Sequence, residues 1–231
     1  MTDSTAARRA QRPTGPQAAR EKQKSDRRAQ LLAAAAELMA ERGYLAVRLE
    51  DIGAAAGVSG PAIYRHFSGK EALLVELLVG ISTRLLNGAR EVVAAAAADA
   101  PSALDSLIEF HLDFALTEPD LIRIQDRDLA NLPVGAQRQV RRAQRSYLET
   151  WVEVLVRLDP DLAGDDARVM AHAVFGLLNS TAHSIKTPGE RSTDRSRDVL
   201  RAMTRAALAP LRSSPPGASL NTSQGTPRRR G

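Results

Sequence analysis

The 231-residue chain contains no cysteine. That excludes disulfides, thiolate nucleophiles and zinc–cysteine sites. Aromatic residues make up only 3% of it, and four of its 32 basic residues are lysines. It has no long hydrophobic run. The longest, such as 92–98, falls far short of the ~20 apolar residues that span a bilayer, and the N-terminus lacks the apolar stretch of a secretory signal. These absences predict a cytoplasmic protein with no membrane contact. Strand-like alternation between turns is also missing, which predicts an all-α fold. No nucleophile–base constellation, phosphate loop or paired-carboxylate motif stands out. Neither an enzyme nor a bound cofactor is expected.

What is present begins with charge. Residues 1–28 carry eight basic and three acidic side chains, and 211–231 carry four arginines with no acid. The net charge of +5 therefore belongs to the ends, and the stretch between them is acidic. A basic N-terminal arm, 1–24, could reach DNA phosphates or a minor groove, or be a solvated leader. The segment 211–231 lacks apolar periodicity and reads as a disordered tail.

The most informative stretch is RLEDIGAAAGVSGPAIYRHFSGK, 48–70. Leu49, Ile52 and Ala56 recur at helical spacing. Gly57 then stops the helix, because glycine enters the left-handed region at little cost. Val58 plugs the corner. Ser59 can cap the next helix, and Pro61 fits its first turn. That second helix, about 60–67, buries Ile63 and Phe67 and leaves Tyr64, Arg65 and His66 near the surface. Helix, glycine turn, helix is the geometry that lays a second helix into a DNA major groove.

With Gly43-Tyr44, Asp51-Ile52, Ala56-Gly57-Val58-Ser59, Ile63-Tyr64, His66-Phe67 and Lys70-Glu71 in order, residues 33–78 resemble the N-terminal domain of TetR/AcrR-type transcriptional regulators. The resemblance implies an all-α protein of about nine helices: a helix-turn-helix domain, 25–70, and a helical regulatory and dimerisation domain, 71–210. It implies a ligand-responsive regulator, a repressor that binds a palindromic DNA operator as a homodimer through its last two helices. A small hydrophobic effector, an acyl-CoA or related metabolite, would release it. Carried over by position, the DNA-facing residues are Ser59, Gly60, Pro61, Ala62, Tyr64 and His66. Arg65 adds a charge, and Lys70 at the start of helix four would favour a phosphate. Two positions depart from the family pattern. Arg48 stands where Ser or Thr usually caps helix two, and is itself a candidate DNA contact. Pro61 replaces a frequent Gly. The small Gly60, Pro61 and Ala62 cannot make the bidentate contacts that identify a guanine. A sequence-tolerant architectural DNA-binding protein is the competing reading.

Apolar periodicity and breakers predict helices at about 25–42, 48–56, 60–67, 69–97, 101–118, 121–131, 135–158, 165–183 and 193–208. In the regulatory part five of the eight aromatics fall between 110 and 175. Phe110, His111, Phe114, Ile122, Gln125, Tyr147, Trp151, Leu155, Phe175 and Asn179 are candidate pocket residues, although taken singly each is better explained as core. His172, Gly176, Asn179 and His183 share one helical face, with the two histidines too far apart for a metal site. Ala171, Val174, Leu178, Val199, Met203, Ala206 and Ala207 suit close helix packing between subunits. Asp126-Arg127-Asp128 and the arginines of 138–145 read as intrahelical ion pairs on a solvated face.

Overall fold

A computed structural model describes residues 15–96, 99–184 and 190–209. They form α1 (Pro16–Arg42), α2 (Leu49–Ala55), α3 (Gly60–Ile63), α4 (Lys70–Ala95), α5 (Ala100–Thr117), α6 (Pro119–Asp128), a 3-10 turn (Leu129–Asn131), α7 (Val134–Leu158), α8 (Gly164–Asn179), α9 (Thr181–Ser184) and α10 (Glu190–Ala207). No strand occurs among the described residues. The helix expected at 165–183 is present as α8 with the short α9 continuing it. Counted together they give, among the described residues, the nine helices expected.

The first helix starts nine residues ahead of the expected 25. Pro16 occupies its first turn after Gly15, where a missing N–H costs nothing, and the strong helix formers of 17–24 carry it onward. The part of the expected disordered arm from 16 to 24 is therefore helical. Its remainder, 1–14, and the expected tail at 211–231 lie outside the described residues.

α2 and α3 are too short to persist alone. They are held by a shared core in which Leu31, Met39, Ile52, Ile63, Leu73 and Leu74 are fully buried. Each such side chain contributes about 1.5–3 kcal/mol. Gly57 sits at φ 64°, the left-handed turn that separates the two helices. Ser59 caps α3 with its carbonyl, which accepts from the Ala62 and Ile63 N–H groups, and its hydroxyl makes no cap bond. α3 is also shorter than expected. After Ile63 the chain tightens into a turn in which the His66 N–H donates to the Ile63 carbonyl at 2.9 Å.

α4 runs unbroken from the helix-turn-helix core into a second one. Leu73, Leu74, Leu78 and Ile81 join the first core, and Ala89 joins Leu107, Leu112, Trp151, Val154, Val174 and Leu178 in the second. By length and composition α4 could cross a membrane, but its apolar side is spent on these two cores. Ala171, Val174 and Leu178 also face the chain's own interior, not the subunit surface expected of them. The exposed large apolar residues on the last helices are Val169, Val199 and Met203, and the expected Ala206 and Ala207 are exposed as well.

Candidate functional site

The residues expected to face DNA surround α3. Arg48, Ser59, Pro61, Tyr64 and Arg65 are exposed, Ala62 and His66 are half-buried, and Gly60 opens the helix. Arg48 stands at the N-cap of α2 but has no acceptor to cap with. Asp51 closes that end by accepting the Arg48 backbone N–H at 3.1 Å. The Tyr64 hydroxyl lies 3.4 Å from Glu50 Oε1. The His66 Nδ1 is buried without a hydrogen-bond partner. Burial, followed by the charges of Lys24, Arg28, Arg27 and Arg65, lowers its pKa. The helical extension of α1 thus brings Lys24, alongside Arg27 of the expected helix, close to His66 in the turn after α3. The sequence reading, which left 1–24 as a loose arm, missed this juxtaposition, although the charges recur at helical spacing.

Lys70 does not do what was expected of it. Its ammonium donates to the carbonyls of Tyr44 (2.8 Å), Leu45 (3.2 Å) and Val47 (2.8 Å), and it lies 4.5 Å from the centroid of the Tyr44 ring. All three N–H donors are committed, so Lys70 staples the α1–α2 loop to α4 and has no donor left for a phosphate. Arg28 makes a matching tie. It bonds both carboxylate oxygens of Glu76 and the His66 carbonyl, and stacks over Phe67 at 4.1 Å.

A cavity of about 480 Å³ opens between α4, α5, α6, α7 and α8. Seven of the ten expected pocket residues line it: His111, Phe114, Ile122, Gln125, Tyr147, Phe175 and Asn179. Trp151 is fully buried behind the lining, with its ring 5.3 Å from Phe175. Leu155 belongs to the second core and borders a separate, smaller crevice. Phe110 turns the other way and packs on α4, so close to Gly88 that an added Cβ would lie 2.3 Å from its ring. The expected stripe on α8 is divided. His172 and Asn179 reach the cavity, Gly176 is exposed, and His183 meets Asp126 at 3.1 Å.

The polar centre of the cavity is His111, only 3% exposed. Its Nδ1 lies 2.8 Å from the Tyr147 hydroxyl and its Nε2 3.0 Å from Asn179 Oδ1. The ring stacks on Phe175 with centroids 5.2 Å apart. Burial drives the imidazole pKa down to about 4, with the Asn179 hydrogen bond acting in the opposite direction, so the ring is neutral at pH 7. Burial also raises the Tyr147 pKa. At the rim stand Arg141 and Arg145. None of the ion pairs among the described residues involves Arg138, Arg141, Arg142 or Arg145, so the expected intrahelical pairing of this cluster is absent. Periodicity could not tell an unpaired rim from a paired surface.

α6 connects the two sites. Ile122, Gln125 and Asp126 face the cavity. The next two residues grip the helix-turn-helix unit. Arg127 donates to the carbonyls of Ala40 (3.3 Å) and Met39. The buried Asp128 carboxylate accepts from Arg127 and from the Tyr44 N–H at 3.3 Å. The α1–α2 loop is therefore held by α6 on one side and by Lys70 of α4 on the other.

A helix-turn-helix unit joined through two helices to a cavity-bearing bundle defines a bacterial transcriptional regulator. Residues 31–77 match the family described as bacterial regulatory proteins, tetR family, and 98–209 match the tetracyclin repressor-like C-terminal domain. The chain is 31% identical to the HTH-type transcriptional repressor KstR2 of Rhodococcus jostii over 57% of its own length and 65% of that protein. It is 32% identical to the HTH-type transcriptional activator FasR of Mycolicibacterium smegmatis, over 69% of the chain and 72% of the relative. In fold it resembles AibR, solved in complex with isovaleryl coenzyme A and operator DNA, with a TM-score of 0.63, 18% identity and coverage of 77% of this chain and 97% of that one. The chain belongs to the TetR family of transcriptional regulators.

Proposed function

We propose that the protein is a dimeric repressor that binds a palindromic operator and leaves it when an anionic amphiphile of the acyl-CoA class fills the cavity. The observation that carries the effector response is α6: one ten-residue helix forms a cavity wall at Ile122 and Gln125 and holds α1 and its following loop through Arg127 and Asp128. A ligand that favours a displaced α6 or α4 would shift α3 with it, and its differential affinity for the two arrangements would set the release. The cavity is within the usual size range of small-molecule sites. Its aromatic floor suits an apolar chain, and the unpaired Arg141 and Arg145 at the rim suit an anionic head. The isovaleryl coenzyme A bound to AibR is consistent with that ligand class.

On the DNA side the contacts fall to Arg48, Ser59, Gly60, Pro61, Ala62, Tyr64, Arg65 and His66, with Lys24 and Arg27 extending the basic surface. Lys70 is left out because its donors are spent. Val169 of α8 with Val199 and Met203 of α10, all exposed on adjoining helices, offer the apolar face for a second copy. A two-fold dimer calls for a two-fold operator, and a soluble cytoplasmic repressor is the corresponding cellular picture. Fluorescence anisotropy on DNA from upstream of the protein's own gene tests the reading. Addition of dodecanoyl-CoA is expected to weaken binding at least about tenfold. Operator affinity that no acyl-CoA alters would sink the effector assignment.

A further inference from the structure

The polar centre of the cavity has a direction. A neutral imidazole carries one ring proton, and Asn179 Oδ1, 3.0 Å from Nε2, can only accept. The proton is therefore on Nε2. Nδ1 then accepts from the Tyr147 hydroxyl at 2.8 Å. The Phe175 ring stacked on one face of the imidazole, at an interplanar angle of 5°, and the Trp151 ring edge-on to it keep His111 from turning. After these two bonds Asn179 has its oxygen committed and its Nδ2 donors without a protein partner, while the Tyr147 hydroxyl has its one donor committed and can only accept. Both residues line the cavity. A purely hydrocarbon ligand end would displace water from the Asn179 amide and return nothing to it.

Building on the effector reading of this cavity, we infer that the buried part of the effector carries a hydrogen-bond-accepting oxygen, a ketone or similar carbonyl, which Asn179 Nδ2 binds. His111 and Tyr147 act as positioning residues that hold the amide with its nitrogen available. The rim arginines take the anionic end of the same molecule, so its orientation follows: charge outward, carbonyl inward.

The test uses the full-length protein, dodecanoyl-CoA, and the isomeric oxododecanoyl-CoA thioesters with the ketone stepped along the chain. Binding is read from the fluorescence of the single tryptophan and from operator release. At least one oxo isomer is expected to bind about tenfold or more tightly than dodecanoyl-CoA. Asn179→Leu should remove that preference, so that dodecanoyl-CoA and every oxo isomer bind the variant within about twofold of one another. Asn179→Asp, which keeps the shape but offers only acceptors, should remove it as well and guards against a misfolded Leu variant. Nitrogen-15 NMR of labelled histidine should show His111 protonated at Nε2, and Tyr147→Phe should reduce the oxo preference without unfolding. If dodecanoyl-CoA releases the operator and binds as tightly as every oxo isomer, the effector reading stands and this inference fails. If no thioester binds or releases, both fail. A proton on Nδ1 reverses the amide and overturns the inference directly.

Discussion

Replacing Lys70 with Met separates two roles that sequence alone could not. The ammonium bonds three carbonyls of the α1–α2 loop. Two of these, at Tyr44 and Val47, are partly buried, while the Leu45 carbonyl faces solvent and can be rehydrated. A hydrogen bond from a charged donor contributes about 1.5–3 kcal/mol when well sheltered; solvent at this half-exposed site reduces that. The cation over the Tyr44 ring adds about 0.5 kcal/mol, and methionine keeps most of the packing. The expected loss is about 2–4 kcal/mol, which for a chain of this size lowers the melting temperature by roughly 5–15 °C. Thermal melts by circular dichroism measure this. Operator anisotropy at several salt concentrations, with folded protein below its melting range, measures the other possibility. A phosphate contact would lower the slope of log affinity against log salt by about one, whereas a staple leaves the slope unchanged. A variant as stable as the parent with a reduced salt slope would refute the structural role and restore Lys70 to the DNA surface.

Other consequences follow from single contacts. His111→Gln should flatten the pH dependence of stability between 6.5 and 4. The folded-state pKa is depressed to about 4, so its contribution is full above pH 6.5 and lost as the pH falls toward 4, about 3 kcal/mol in all. Equal urea-unfolding slopes against pH for parent and variant would contradict the burial account. Gly88→Ala places a methyl against the Phe110 ring and should cost about 1–3 kcal/mol; an unchanged denaturation midpoint would show that Phe110 moves freely. Arg127→Ala should leave ligand binding within about twofold and cut the effector's influence on operator affinity by about 1 kcal/mol or more. Met203→Asp should turn a dimer into a monomer by light scattering, with operator affinity lost in parallel, and a dimeric M203D protein would move the interface elsewhere.

The DNA-binding half was legible because its signals are local. Gly57, the apolar spacing of Ile52 and Ile63, and Pro61 in a first turn each act within a few residues, and the structure follows them. The early start of α1 was missed because Pro16 and Gly15 were read as part of a loose leader, although they are also a helix start. Lys70 was misread because its partners lie 23 to 26 residues back, a separation that spacing arguments do not reach. In the regulatory half seven of the ten residues chosen by type line the cavity, since aromatic and amide side chains concentrate there. It could not separate Phe114 from Phe110, which lie on one helix but face different neighbours. Nor could it place Arg141 and Arg145 at the cavity rim, because whether an arginine finds an acidic partner depends on packing between helices. The Arg127–Asp128 clasp on α1 and Tyr44 spans 84 residues or more, and nothing in the sequence marks it.

The most direct test of the central claim is capture of sheared genomic DNA from the source organism by the purified full-length protein, followed by sequencing of the bound fragments. A two-fold regulator predicts a few sharp sites that share a palindrome whose half-sites lie one helical turn or a multiple of it apart. Diffuse recovery with no shared motif, at an affinity that random DNA matches, would contradict the account and favour a sequence-tolerant DNA-binding protein.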